Sequence, residues 1–114
     1  FRLSEGSKAC WVEVKSVTYV EDGIGRFPDA PTSRGRKHLG ELANLIASGD
    51  RASVVFIAQR EDALQFAPFE AVDPAFSQTL REANAKGVEV HAYVCCVSTE
   101  RIEINRELPV LLGA

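Results

Sequence analysis

Hydrophobic and polar positions along the chain first follow the period of a strand. Residues 9–21 are rich in β-branched and aromatic side chains, and Asp22-Gly23 marks a turn into residues 24–27, which predicts a hairpin. Ahead of it, residues 1–3 read as the end of a strand and residues 4–8 as a polar turn. Pro28-Asp29-Ala30-Pro31 breaks the pattern. The period then becomes helical: Leu39, Leu42, Ala43 and Ile46 fall at i, i+3, i+4 and i+7, with Thr32 or Ser33 as the cap and Gly49 as the stop. Residues 52–59 form a nearly unbroken apolar run, which predicts a central strand covered on both faces. A loop holding Phe66, Pro68 and Phe69 leads to a second helix. Asp73 caps it, Pro74 opens it, Phe76, Leu80 and Ala83 form its apolar side, and Gly87 closes it. Residues 88–97 read as another strand, with short edge pieces at 102–104 and 110–112.

Early antiparallel strands followed by strand–helix–strand crossovers predict an α/β fold, a mixed β-sheet flanked by helices. The 114 residues, 46% hydrophobic and 25% charged, suit one ordinary domain with its own core and exclude disordered, fibrous and coiled-coil classes. No apolar run approaches the roughly 18 residues of a membrane span, and none has signal-peptide flanks. The net charge is −3, from 13 basic and 16 acidic residues, so nucleic acid would have to be held by a local patch. The cysteines are Cys10, Cys95 and Cys96; the odd number and the lack of a CxxC spacing suit reduced thiols. Cys95 and Cys96 should point to opposite faces of their strand. A chain without methionine that opens on Phe1-Arg2-Leu3 reads as a domain cut from a longer protein.

The most informative stretch for chemistry is Trp11-Val12-Glu13-Val14-Lys15. In a strand Glu13 and Lys15 share a face, and a carboxylate and an amine so placed suit phosphodiester hydrolysis. The carboxylate binds a divalent metal and the lysine positions or deprotonates water. Such a site needs a second carboxylate from a neighbouring strand, and the pair also fits a simple salt bridge. Arg34, Arg36, Lys37 and His38 crowd the start of the first helix, where cations oppose the helix dipole. That arrangement suits an anion, phosphate above all, held by backbone N–H groups and basic side chains together. The alternative is a solvated face with Lys37 paired to Glu41. Arg34, His38 and Glu41 share a helical face opposite the Leu39–Leu42–Ile46 stripe. Gln59, at the end of the apolar strand, is placed to reach a cleft. Trp11 reads as core or interface rather than a base-stacking platform, and His91 as an exposed or satisfied histidine.

Several runs resemble the sugar fermentation stimulation protein A family of bacteria and archaea. They are Val12-Glu13-Val14-Lys15-Ser16-Val17-Thr18, the continuous stretch from Phe27-Pro28-Asp29 through Arg34-Gly35-Arg36-Lys37-His38-Leu39-Gly40-Glu41-Leu42, Gln59-Arg60 with Asp62, Gly87-Val88-Glu89-Val90, and Leu108-Pro109-Val110-Leu111. The resemblance implies cytoplasmic, DNA-binding regulators of sugar (maltose) metabolism. Each would have an N-terminal barrel of OB type followed by a C-terminal domain with the restriction-endonuclease-like, PD-(D/E)xK fold. Residues 1–114 would be that C-terminal domain alone, without the barrel and without the start of the first core strand. By the family motif Glu13 and Lys15 match the catalytic E-x-K, and Glu13 with the Val14 carbonyl would bind magnesium. The motif's first aspartate is expected immediately before Phe1. Pro28-Asp29 follows E-x-K in the chain and so is not the motif, although Asp29 could cap a turn or face the cleft. The expectation is weak magnesium binding without cleavage, with DNA phosphates held by Arg34, Arg36, Lys37 and His38. The alternatives are a competent metal-dependent nuclease once the aspartate is supplied, and a regulatory module that acts through protein contacts.

Overall fold

The computed structural model describes residues 2–5, 8–97 and 102–113. Its elements are β1 (Arg2–Glu5), β2 (Lys8–Val17), β3 (Tyr19–Glu21), β4 (Ile24–Phe27), α1 (Ser33–Ala47), β5 (Arg51–Ala58), β6 (Gln65–Pro68), α2 (Pro74–Ala85), β7 (Glu89–Val97) and β8 (Ile102–Glu107). A five-stranded sheet runs in the order β1-β2-β5-β7-β8, and a three-stranded sheet in the order β3-β4-β6. In the larger sheet β2, β5 and β7 are parallel and the outer strands β1 and β8 antiparallel, so the expected mixed sheet forms.

Several details differ from the sequence expectations. The strand expected over residues 9–21 is broken at Thr18, and its two parts lie in different sheets. Only the second part forms the hairpin, with Asp22 and Gly23 both at positive φ (53° and 79°), as a two-residue turn between twisted strands requires. The region around Phe66, read as a loop, is β6; it pairs in parallel with β4, a partner far away in sequence that no local pattern reveals. Residues 110–112 contribute only a bridge from Val110 to Phe66, fastened by Phe66 N–H to the Pro109 carbonyl (2.9 Å) and Leu111 N–H to the Phe66 carbonyl (2.8 Å). Ser4, Glu5 and Lys8 belong to strands rather than to a turn, while Phe1, Gly6 and Ser7 lie outside the described residues.

The core lies on one face of the large sheet. From β5 it takes Ala52, Val54, Phe56 and Ala58, from β7 Ala92 and Val94, from α1 Leu39 and Leu42, and from α2 Phe76, Leu80 and Ala83. The small sheet closes the same face: Phe66 stacks on Phe56 at 4.2 Å, and Phe27 packs against Phe56 and Phe76. The opposite face is not covered as expected for β5. Val14 is 51% exposed, and Val55, Ile57 and Tyr93 are only half-buried. The apolar run concealed this because β-branched residues also occupy the outer positions of β5, where in-sheet neighbours shield them partially. Cys95 is buried and Cys96 exposed, so the two do diverge.

Both helices begin and end as their sequences predict. Thr32 accepts from the Gly35 N–H and Asp73 from the Phe76 N–H, each at 2.9 Å, and Pro74 opens α2. Each helix stops at a glycine with left-handed φ, Gly49 (93°) and Gly87 (112°). The following residue then donates back into the last turn: Asp50 to Leu45, and Val88 to Ala83.

Gly35 holds the two helix starts together. A Cβ there would lie 2.8 Å from Thr32 Cγ2 and 3.2 Å from Phe76 Cε2. Alanine is the better helix former by about 1 kcal/mol, whereas forcing a methyl into a packed contact costs about 1–3 kcal/mol. Gly35→Ala is therefore expected to lower the midpoint of denaturant unfolding. A raised midpoint would show that Thr32 and Phe76 yield at no cost.

Candidate functional site

Strand alternation directs Trp11, Glu13, Lys15 and Val17 of β2 toward α1, and the register sets them beside Ala52, Val54, Phe56 and Ala58 of β5. Glu13 and Lys15 thus lie over the buried face near the helix, not on a solvated strand face. Lys15 Nζ is 3.3 Å from Glu13 Oε1 and 2.9 Å from His38 Nδ1, and its side chain is only 12% exposed. His38 Nδ1 also stands 3.3 Å from Glu13 Oε1. Glu13, Lys15 and His38 thus form one compact cluster.

The cluster opens onto a groove of about 420 Å³ between β2 and α1. Trp11, Val12, Leu42 and Leu45 supply apolar walls, while Glu13, His38, Glu41 and Asn44 supply polar ones. Trp11 is half-buried, packs against the core and donates its indole N–H to Asp50 (3.1 Å).

The basic residues expected to act together are distributed to different places. His38 faces Lys15. Arg36 turns away to Asp73, with Nη1 3.3 Å from both carboxylate oxygens. Arg34 and Lys37 are exposed, and neither makes an ion pair among the described residues, so the Lys37–Glu41 bridge does not form. At the α1 start the anion is Asp73 itself, which also accepts the Thr32 N–H at 2.8 Å. Asp29 is exposed and accepts from Thr18 Oγ1 (3.3 Å). Gln59 lines a separate depression with Ser16, Thr18 and Arg60 at the ends of β2 and β5, apart from the Glu13 groove. His91 lies 3.4 Å from Glu89, satisfied as expected.

Sequence reasoning missed Asp73 beyond its role as a cap, and it missed that His38 belongs with Glu13 and Lys15. Two signals were present: an Asp-Pro cap, and a histidine one position before a core leucine. Neither specifies a partner.

A family model described as "Sugar fermentation stimulation protein RE domain" matches residues 1–101. The sugar fermentation stimulation protein homolog of Chloroflexus aggregans is 54% identical over 99% of this chain and 44% of its own length. That of Geobacter sulfurreducens is 49% identical over 97% and 48%. The chain belongs to the sugar fermentation stimulation protein family. Its fold matches a solved structure of Pyrococcus furiosus SfsA in complex with Ca2+, with a TM-score of 0.82 and 34% identity over 90% of this chain and 45% of that one. The family resemblance and the nuclease-like α/β fold read from the sequence therefore both hold. The chain spans about half the length of the curated relatives it matches. No helix among the described residues is long and apolar enough to cross a membrane.

Within this family fold, Asp73 has a titration worth measuring. Burial alone would raise its pKa, but the N–H groups of Thr32 and Phe76 and the Arg36 guanidinium outweigh that and hold the carboxyl below its ordinary value. Asp73 therefore contributes stability that is complete above the ordinary aspartate pKa of about 4 and is lost as pH falls through the lower folded value. Asp73→Asn should be less stable than the parent at neutral pH, and the gap should narrow on acidification. A gap that is constant with pH would show that the charge of Asp73 contributes nothing.

Proposed function

We propose that the chain is a nucleic-acid-binding domain of nuclease type. Exposed Arg34 and Lys37, with Lys15 and His38 beside them, engage the phosphates of DNA. The observation that carries this reading is the Glu13–Lys15–His38 cluster on a groove, near two cations at the start of α1 that make no ion pair among the described residues. Arg36 contributes less, since it is engaged by Asp73. Binding is mainly electrostatic, so it weakens steeply with salt. Location in the cytoplasm and a role in regulating the transcription of sugar (maltose) genes belong to this proposal and rest on the family alone.

Among the described residues no three histidine, cysteine, aspartate or glutamate side chains converge as a metal site, and no second carboxylate joins Glu13 beside Lys15 and His38. These residues do not make a complete magnesium site, and no catalytic step is assigned to them. Glu13 and the Val14 carbonyl would hold the ion weakly at best. The Ca2+ bound by the Pyrococcus furiosus relative supports a cation as part of the family's chemistry.

A nuclease is the second reading, and strand register favours it. In the β1–β2 pair, Arg2 opposes Trp11 and Leu3 opposes Cys10, so paired positions sum to 13. Continued to Glu13, that register brings the position immediately before Phe1 directly opposite it, on the same sheet face. An aspartate added there would lie across the strands from Glu13, as a two-carboxylate site demands.

Two measurements test these readings. In a salt series with duplex DNA, reversing Arg34 and Lys37 to glutamate should weaken binding and reduce the log–log salt slope by about one per lost contact. An unchanged slope would remove the phosphate-binding role from the α1 start. Separately, the chain preceded by one aspartate should bind magnesium more tightly than the parent, and Glu13→Ala should cancel the gain. Cleavage or tight binding that survives Glu13→Ala would overturn the assignment of Glu13.

A further inference from the structure

The groove beside Glu13 has a composition that phosphate binding does not explain. Its deeper part is walled by Trp11, Leu42 and Leu45, and its rim carries Glu41 and Asn44, whose side chains make no hydrogen bond among the described residues. Apolar walls with a few convergent polar groups characterise a pocket for an organic ring, and about 420 Å³ lies within the usual range for ligand pockets. A phosphate would be repelled by Glu13 and Glu41. A nucleobase would not: its faces suit the indole and leucine walls, and its edge carries N–H groups for Glu41 and mixed donors and acceptors for Asn44.

The positions along α1 give the groove a direction. His38, Glu41 and Leu45 succeed one another at helical spacing along the groove, with exposed Arg34 one turn before His38, so the surface passes from cationic through the Lys15–His38 cluster to apolar. A single strand laid along α1 would place one base against Trp11 and Leu45, with the phosphates of its neighbouring nucleotides toward Arg34.

We propose that this groove receives one unstacked nucleobase, so that the domain prefers single-stranded or frayed nucleic acid to an intact duplex. This rests on the nucleic-acid reading above and specifies its substrate class. In a paired duplex a base enters such a groove only after it is flipped out, at the expense of its pairing and stacking, whereas a single strand offers its bases freely.

The chain contains a single tryptophan, Trp11, whose emission reports on the groove directly. The experiment compares a short single-stranded DNA, an abasic strand of the same length and a blunt duplex. Binding is followed by anisotropy of the labelled strand and groove occupancy by Trp11 fluorescence. The base-bearing strand should bind roughly tenfold more tightly than the abasic one and change the Trp11 emission, while the duplex binds without changing it. Asn44→Phe, at an exposed helical position, should fill the groove: it should remove the emission change and the tenfold gain, so that base-bearing and abasic strands bind alike. Equal affinity for base-bearing and abasic strands, with Trp11 unmoved, overturns the groove assignment and leaves phosphate binding standing. An emission change that persists in Asn44→Phe also overturns it, because the base must then sit elsewhere. If no strand binds at low salt, the nucleic-acid reading falls and the groove proposal falls with it.

Discussion

The buried carboxylate of Asp73 fixes the relation between the two helices. It is only 3% exposed, and it accepts from the N–H groups of Phe76 and Thr32 and from the Arg36 guanidinium. A carboxylate so withdrawn from water is tolerable only when its oxygens are bonded. Meeting that requirement ties the first turn of α2 to the cap of α1, and Gly35, which has no side chain, allows the two starts to touch. The direction of α1 over β2 follows, and with it the fate of a basic segment. At about 100° per residue, neighbouring side chains on a helix cannot share a destination. Arg36 goes to Asp73 and His38 to Lys15, while Arg34 and Lys37 face solvent. What reads in one dimension as a single cationic patch is three separate environments.

The second constraint is the break at Thr18. There the chain leaves the large sheet, and the Thr18 hydroxyl reaches Asp29 in the segment that leads to α1. The hairpin beyond the break stands on the same face as the helices, bringing Phe27 against Phe56 and Phe76. One face of the large sheet thus carries all of the packing, and the groove is the gap left where α1 crosses the N-terminal part of β2. Core formation and groove position are two results of the same asymmetry.

Much of this fold was legible in the sequence because it is encoded locally. Asp22-Gly23, the Thr32 and Asp73 caps, Pro74 and the glycine stops each act within a few residues, and the helical apolar stripes identify Leu39, Leu42, Phe76 and Leu80 as core. Long-range pairing was not legible. β6 exists because β4 lies beside it, the break at Thr18 is a consequence of having two sheets, and the open outer face of β5 was hidden by Val55 and Ile57. The site divides in the same way. Strand period alone puts Glu13 and Lys15 together, but His38 joins them only through the packing of α1, across 23 positions of chain. Gln59 does line a depression, but the end of β5 opens on a different one from the middle of β2, which strand order alone does not specify.

Charge pairing explains why the α1 start stands out on a chain whose net charge is −3. Arg51 binds Glu89, Arg60 binds Asp62, Arg81 binds Glu70 and Arg36 binds Asp73, so each of these guanidinium groups has its field cancelled close to its source. The exposed ones, Arg51–Glu89 and Arg60–Asp62, add little stability, but they leave the surface locally neutral. Arg34 and Lys37 have no such partner among the described residues, and they sit in the first turns of α1, where the helix dipole adds to their potential. The α1 start therefore keeps a positive field beside the Lys15–His38 cluster and the groove, set by where its two cations lie more than by the number of basic residues.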